Sequence, residues 1–423
     1  MQQKKPQLHL NFEFTFKLQI TQKKIRMKKL WYSFFILASV LFLTNCDSAG
    51  GYLGESDLAY SDGLGKSSSS GSDDGGNQTE PQAGLITAGE WNDLDHWTFL
   101  DSLLTADTVG FQNHWSFFVR NRVAVKITDA SSIPAINLKV ELKRNGTTVW
   151  TAKTDNFGKA ELWTDLFQAG TSQDVSNLSI TVDGLTISNV KDYASGVNEI
   201  KLNSTKTIPN KAELAFVVDA TGSMGDELEF LKTELLDVIN TAKNDNPGVS
   251  MYTGSVFYRD EGDDYVTKTS DFTTNTQTTL NFIKNQSSSG GGDFPEAVHT
   301  ALDKAINNLQ WSVDARTRII FLVLDAPPHY ETGIITDLQK HIKSAAAQGI
   351  KIIPVTASGI DKETEFLMRF FSISTNGTYV FITNDSGIGN EHLQPTIGKY
   401  EVEHLNSLMV RLINKYIKVN QPG

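Results

Sequence analysis

From residue 211 onward the chain alternates short apolar runs with amphipathic stretches, and this alternation restricts the possible fold more than any other feature. The runs have the length of strands, and the stretches between them carry apolar residues at helical spacing. Strands and helices in alternation form a mostly parallel sheet with helices on both faces. We therefore expect an α/β doubly wound, Rossmann-like domain over residues 211–420. Its expected strands are 212–218, 250–258, 318–324, 351–356 and 378–383, and its expected helices are 226–243, 296–309, 337–348, 362–371 and 402–417.

Three oxygen-bearing side chains follow the first of these strands, where such sheets bind their ligands. They are Asp219, Thr221 and Ser223, at positions i, i+2 and i+4 of one short loop. Side chains at this spacing can converge on one hard cation, and oxygen ligands favour Mg²⁺, Mn²⁺ or Ca²⁺ over zinc or copper. The alternative explanation is a capped helix, with Thr221 or Ser223 as the N-cap.

Two later loops carry further polar side chains after expected strands. The segment SGGGDFPEA contains Asp293 and Glu296, which could instead be a helix capping box. The segment DAPPH, residues 325–329, begins with Asp325 and ends with His329. A strand-ending turn is the alternative explanation of this third loop.

Together the three loops resemble the metal-site motifs of von Willebrand factor A domains, in the forms DxTxS, GGGDxPE and DAPPH. The resemblance covers about residues 211–417. It implies a metal-ion-dependent adhesion site with Mg²⁺ as the expected ion and Ca²⁺ or Mn²⁺ as alternatives. Many members of the family carry Thr at the position that Asp293 occupies in this resemblance. The implied ligands are Asp219, Thr221, Ser223, Asp293 and Asp325.

Three more residues are expected to lie just outside the ligands: Asp260, Glu296 and His329. Asp260 belongs to the acidic run 259–265, which can also be solvated surface. His329 could serve as the base of a metal-dependent hydrolase, or it could simply hydrogen-bond its own loop. The sequence has no Ser/His/Asp signature, phosphate-binding loop or HExxH motif, so we expect a protein that is not an enzyme.

Residues 84–207 consist of short alternating runs separated by turn signals, a pattern typical of an antiparallel β-sandwich. Residues 153–160 resemble the TDxxGxA hairpin of transthyretin-like and carboxypeptidase-regulatory-like sandwiches. Five of the seven tryptophans lie here, and we expect them in the core rather than on a sugar-binding platform. They are Trp91, Trp97, Trp115, Trp150 and Trp163.

The first 46 residues are expected to be a signal segment. A basic run at 23–29 precedes the uncharged apolar run 30–44, which is too short to span a bilayer. The only cysteine, Cys46, ends this region, which resembles a bacterial lipoprotein signal with its true start at Met27. Residues 47–83 are rich in Gly and Ser and are expected to be a disordered tether. The protein is thus expected in the bacterial cell envelope, lipid-anchored at the outer membrane or cell surface.

Composition narrows the possible partners. The formal net charge of −11 argues against nucleic-acid binding, and a single cysteine excludes a disulfide scaffold. The leading hypothesis is metal-dependent binding of a protein or another macromolecule. The alternatives are an envelope assembly component with a structural metal, a metal-dependent hydrolase, and carbohydrate binding by the tryptophans.

Overall fold

The structure is a computed structural model that describes residues 81–104, 106–170 and 174–419. The expected signal segment, the lipidation site Cys46 and the tether up to residue 80 lie outside the described residues. Within the three described ranges, no helix has the length and apolarity needed to cross a bilayer.

The described residues contain fifteen strands and eight α-helices. The strands are β1 (Thr87–Trp91), β2 (Arg122–Thr128), β3 (Lys139–Arg144), β4 (Thr147–Lys153), β5 (Lys159–Trp163), β6 (Leu178–Val182), β7 (Leu185–Ile187), β8 (Asn198–Lys201), β9 (Lys211–Asp219), β10 (Ser250–Tyr258), β11 (Thr267–Thr273), β12 (Thr317–Leu324), β13 (Ile350–Thr356), β14 (Tyr379–Ile382) and β15 (Glu403–His404). The helices are α1 (Trp97–Leu103), α2 (Ala106–Trp115), α3 (Leu228–Asp245), α4 (Thr276–Lys284), α5 (Val298–Asp303, continued by a π-turn over Lys304–Asn308), α6 (Thr332–Gln348), α7 (Lys362–Ser374) and α8 (Leu405–Ile417).

The largest sheet has eight strands in the order β11-β10-β9-β12-β13-β14-β1-β15. The five consecutive strands from β10 to β14 are parallel, and β11, β1 and β15 join them in antiparallel pairs. Helices flank this mixed, mostly parallel sheet, so the α/β doubly wound prediction for the C-terminal half is confirmed.

Alternate residues of β9 face opposite sides of the sheet, as the period of a strand requires. Leu214 and Phe216 belong to the apolar cluster that includes residues of α3, α4 and α8. Ala215 and Val217 belong to the other cluster, which includes residues of α5, α6 and α7. Burial on both faces explains why the parallel strands appear in the sequence as continuous apolar runs.

The N-terminal boundary of the large sheet differs from the expected one. The sequence pattern predicts one sandwich over residues 84–207, but β1 lies between β14 and β15 in the large sheet. Ala88 pairs with Ile382 and Trp91 with Tyr379. A local alternating pattern identifies a strand but not its partner, and the partner here is almost 300 residues away.

The rest of this region contains two small sheets, of three strands (β5-β2-β8) and four strands (β4-β3-β6-β7). The turn at residues 154–158 joins β4 to β5 across the two sheets, so it is not the hairpin that its sequence resembles. Helix α2 ends at Trp115, Ser116 has a positive φ of 54°, and β2 begins at Arg122. Of the five tryptophans, four are buried and Trp97 is partly buried, so an exposed sugar-binding platform is ruled out.

Candidate functional site

The candidate site lies where the chain reverses its direction of travel through the sheet. β9 lies between β10 and β12, both parallel to it, and the strand that follows β9 in sequence lies on the opposite side from β12. Ligands of doubly wound sheets bind at such a switch point, beyond the carboxyl ends of the strands. Asp219 is the last residue of β9, and Asp325 follows the end of β12. The two carboxylates are therefore neighbours at this edge.

The first loop holds its polar groups by internal hydrogen bonds. Asp219 Oδ1 accepts from the backbone N of Thr221 at 2.9 Å and from its hydroxyl at 2.7 Å. The hydroxyls of Thr221 and Ser223 are 3.1 Å apart. Asp219 and Thr221 are fully buried, whereas Ser223 is exposed. The three predicted oxygen donors of this loop thus lie close together, with Ser223 at the surface.

Three buried carboxylate oxygens at this edge have no hydrogen-bond partner among the described residues: Asp219 Oδ2, Asp325 Oδ1 and Glu296 Oε2. Glu296 reaches this edge because its backbone N donates to the carbonyl of Pro327 at 2.9 Å. A buried carboxylate oxygen without a partner is costly unless a cation neutralises it.

The raised pKa values of these carboxyl groups agree with a site that needs a cation. Burial, followed by the negative charge of Asp219, raises the pKa of Asp325. Burial also raises the pKa of Asp219, against the opposing hydrogen bonds from Thr221. Glu296 is affected most, since burial and the charge of Asp219 raise its pKa to about 9. Each carboxylate is destabilised by burial and by its neighbours, and a divalent cation would relieve both effects. The donor set fits an oxygen-bound Mg²⁺ or Ca²⁺.

The glycine-rich loop packs directly on the first loop. Gly222 N donates to the carbonyl of Gly290 at 3.0 Å, and Ser289 N donates to the carbonyl of Ala220 at 3.0 Å. Gly291 has a φ of +71°, and a Cβ there would lie 2.8 Å from Glu296 Oε1 and 3.3 Å from the Cβ of Thr221. A residue without a side chain is therefore needed where this loop passes the site.

Asp293, an implied ligand of the first site, lies close to two other potential ligands. Of the acidic and histidine side chains in the described part of the chain, one group of three brings its ligand atoms within 4.8 Å of one another. That group is Asp260, Asp293 and His329, and it leaves out both Asp219 and Asp325. His329 Nε2 lies 2.7 Å from Asp260 Oδ1. Two of the residues expected just outside the ligands, Asp260 and His329, thus lie with Asp293 in a second cluster beside the first.

Sequence analysis missed two residues that support the site. Glu227 is buried and accepts from the backbone N of Ser358 at 3.1 Å, and His392 Nε2 lies 3.0 Å from the same carboxylate oxygen. Arg259 donates to the carbonyl of Ala220 at 3.1 Å and so holds the first loop in place. In the sequence, Glu227 is an ordinary acidic residue at the start of a helix. No local signal shows that its carboxylate accepts a hydrogen bond from the backbone of a distant residue.

Residues 213–387 match the family described as von Willebrand factor A domain. The match begins within β9 and ends after β14, so β1 lies outside it. The three loops of the candidate site all lie inside the matched range.

Two curated relatives match parts of the chain. An ariadne-like RING finger protein of Acanthamoeba polyphaga mimivirus is 34% identical over 138 residues, which are 31% of this chain and 13% of that protein. An alpha-protein kinase of Dictyostelium discoideum is 25% identical over 197 residues, which are 46% of this chain and 31% of that protein. The chain therefore spans less than a third of the length of either relative.

Among solved structures, the conserved hypothetical protein BatB from Bacteroides thetaiotaomicron is similar with a TM-score of 0.33 at 14% sequence identity. The similarity covers 48% of this chain and 98% of that chain.

Proposed function

We propose, on the premise that residues 213–387 are a von Willebrand factor A domain, that this domain binds a protein partner through a divalent cation. The ion, Mg²⁺ in our proposal, is held at the carboxyl ends of β9 and β12. Domains of this family are typical of adhesion and protein interaction, which favours a binding role over a catalytic one.

The observation that carries the proposal is the convergence of buried carboxylate oxygens without partners. Asp219 Oδ2, Asp325 Oδ1 and Glu296 Oε2 are all buried at one edge of the sheet, and none has a hydrogen-bond partner in the described part of the chain. A folded protein rarely retains such groups without a ligand that neutralises them.

The residues of this site supply two kinds of oxygen ligand. Asp219 and Asp325 supply charge, while the hydroxyls of Thr221 and Ser223 supply neutral oxygen donors. The ion contributes positive charge that attracts a carboxylate of the partner. Because Ser223 is exposed and Asp219 is buried, the partner approaches from the side of Ser223.

Removal of the metal tests the proposal. We expect Mg²⁺ to bind the full chain in calorimetric titration and Asp219→Ala to abolish that binding. We also expect an identified partner to be released by EDTA and recaptured on addition of Mg²⁺. Asp264→Ala is the matched control, since Asp264 is an exposed acid of the neighbouring loop. Partner binding that survives both EDTA and Asp219→Ala would contradict metal-dependent adhesion.

A structural metal in an assembly component is the second candidate, and the complete burial of Asp219 favours it. This role predicts that EDTA lowers the melting temperature while partner binding to the remaining folded protein is unchanged. Adhesion predicts instead that EDTA releases the partner from protein that is still folded. Binding curves recorded well below the melting temperature therefore separate the two roles.

We further propose that the protein is a lipoprotein of the bacterial cell envelope, anchored through Cys46. Support comes from the basic run, the apolar run and the position of the only cysteine. Mass spectrometry of the mature N-terminus is the test. Acylated Cys46 is expected, and a Cys46→Ser chain should lose its membrane association.

A further inference from the structure

A second group of ligating side chains lies beside the proposed cation site, and its members come from three separate loops. Asp260 follows β10, Asp293 lies in the glycine-rich loop, and His329 lies in the loop after β12. One ligand atom of each is within 4.8 Å of the other two, and His329 Nε2 is 2.7 Å from Asp260 Oδ1. These side chains meet because two of the loops leave the carboxyl ends of β10 and β12, and the glycine-rich loop, which joins α4 to α5, packs against the loop after β9.

The basic side chain next to Asp260 in the sequence does not neutralise this group. Arg259 directs its guanidinium to the carbonyls of Ala220 and Ser287 and lies over the ring of Tyr265. Asp263, which accepts from the backbone N of Asp260 at 3.1 Å, adds further negative charge. Within the described ranges, the ion-pair partner of Asp260 is therefore the imidazole of His329 and not a Lys or Arg.

Glu296, a carboxylate of the first site, adds negative charge beside this group. It lies three residues after Asp293 and is 2% exposed, and its Oε2 has no hydrogen-bond partner within the described ranges. After burial and the charge of Asp219, the charge of Asp260 is the next cause that raises the pKa of Glu296. This buried carboxylate is therefore close enough to Asp260 to feel its charge.

We propose that Asp260, Asp293 and His329 bind a second divalent metal ion, of the transition-metal class represented by Zn²⁺. Imidazole nitrogen suits Zn²⁺ and its neighbours, whereas Mg²⁺ and Ca²⁺ prefer the all-oxygen loop of Asp219. Ligand atoms around one tetrahedral Zn²⁺ are about 3.3–3.6 Å apart, given bonds of about 2.0–2.2 Å. Because the side chain of Asp293 is exposed, it can move inward to reach this separation.

Two adjacent sites with different ligand chemistry follow from this arrangement. The first is made of buried oxygens and the second of one nitrogen and two carboxylates, one of them exposed. Three protein ligands leave at least one coordination position of the second ion open, as in many zinc sites that accept an external ligand. This site is independent of the proposed partner binding.

Calorimetric titration of the full chain with Zn²⁺, in the presence of saturating Mg²⁺, tests the second site. We expect one equivalent of Zn²⁺ to bind, and His329→Gln or Asp293→Asn to weaken that binding at least about tenfold. His404→Gln is the matched control, because His404 is an exposed histidine on β15 at the far edge of the sheet. This control should bind Zn²⁺ like the wild type.

Asp219→Asn distinguishes this site from the first one. We expect this variant to lose Mg²⁺ binding and to keep the equivalent of Zn²⁺. Zn²⁺ binding unchanged in both His329→Gln and Asp293→Asn would overturn the proposal, as would its loss in Asp219→Asn. If His329→Gln lowers the melting temperature, its loss of Zn²⁺ binding could reflect a disturbed fold. The Zn²⁺ affinity of Asp293→Asn then decides the test, since an exposed side chain can be replaced without disturbing the core.

Discussion

The two oxygens of the Asp219 carboxylate have different surroundings. Oδ1 accepts two hydrogen bonds from Thr221, while Oδ2 has no partner among the described residues. The first oxygen holds the loop in shape, and the second is left for a ligand. The same division in one side chain explains why Asp219→Asn should fold but should not bind a divalent ion: the amide can keep the hydrogen bonds but not the charge.

Stability of the metal-free protein should fall as pH rises from about 4 to about 7. Burial raises the pKa of Asp219 to about 6 and that of Asp325 to about 7, from an ordinary value of 3.8. A carboxyl group with a raised pKa in the folded state stabilises the fold when protonated, and this contribution is lost as it ionises. Melting temperatures in EDTA across this range are the measurement.

Saturating Mg²⁺ should remove most of that pH dependence, because the ion stabilises the ionised carboxylates. The gap in melting temperature between Mg²⁺ and EDTA is thus expected to widen as pH rises. A gap that stays constant from pH 4 to pH 7 would show that these two carboxylates do not bind the ion.

The glycine-rich loop packs directly against the loop that carries Asp219. Its carbonyl at Gly290 and its turn at Gly291 contact residues of the first loop directly. This contact is a direct structural link between the glycine motif and the loop of Asp219. The acid that follows the glycines, Asp293, lies close to Asp260 and His329.

Gly291→Ala should destabilise the protein and weaken Mg²⁺ binding. The left-handed backbone at this position costs a non-glycine residue about 1–2 kcal/mol, and the new Cβ would crowd Glu296. Gly292→Ala is the control, since a Cβ there meets nothing within 4 Å, and its effect should stay within about 0.5 kcal/mol. Equal effects of both variants in urea denaturation would refute the role assigned to Gly291.

In the whole molecule, the small sheets and the large sheet share one apolar cluster. That cluster contains Val125 and Leu142 of the small sheets together with Val217 and Leu322 of the large sheet. A buried ion pair adds to this contact: Lys351 Nζ of β13 lies 3.1 Å from Asp155 Oδ2 in the turn after β4. Asn376 Nδ2 donates to the same oxygen at 3.0 Å.

Asp155→Ala should destabilise the protein by about 3–5 kcal/mol, because it leaves the buried ammonium of Lys351 without a negative charge beside it, although its hydrogen bond to the carbonyl of Asn376 remains. The double variant Asp155→Ala/Lys351→Met should recover part of that loss. Urea denaturation followed by tryptophan fluorescence measures both. For comparison, Asp337→Ala removes the exposed pair with Lys340 and should cost at most about 1 kcal/mol. A loss for Asp155→Ala as small as that control would contradict a tight contact between the sheets.

Much of the C-terminal half was predictable because its signals are local. Each parallel strand is buried on both faces and so appears as a continuous apolar run, and each helix shows its own apolar stripe. The loops with Asp219 and Asp325 could be paired in advance, since the carboxyl ends of neighbouring parallel strands must meet at one edge. These features depend on residues close together in the chain or on a general rule of sheets.

Other features depend on which distant segments pair and in what register. The addition of β1 to the large sheet, the contact of Asp155 with Lys351 and the grouping of Asp293 with Asp260 and His329 join segments tens to hundreds of residues apart. Local periodicity carries no information about such partners, because a strand or a loop looks the same whichever neighbour it meets. Loop conformation then decides which other side chains a given side chain meets. The motif therefore located Asp293 in the chain but could not show that it lies close to Asp260 and His329.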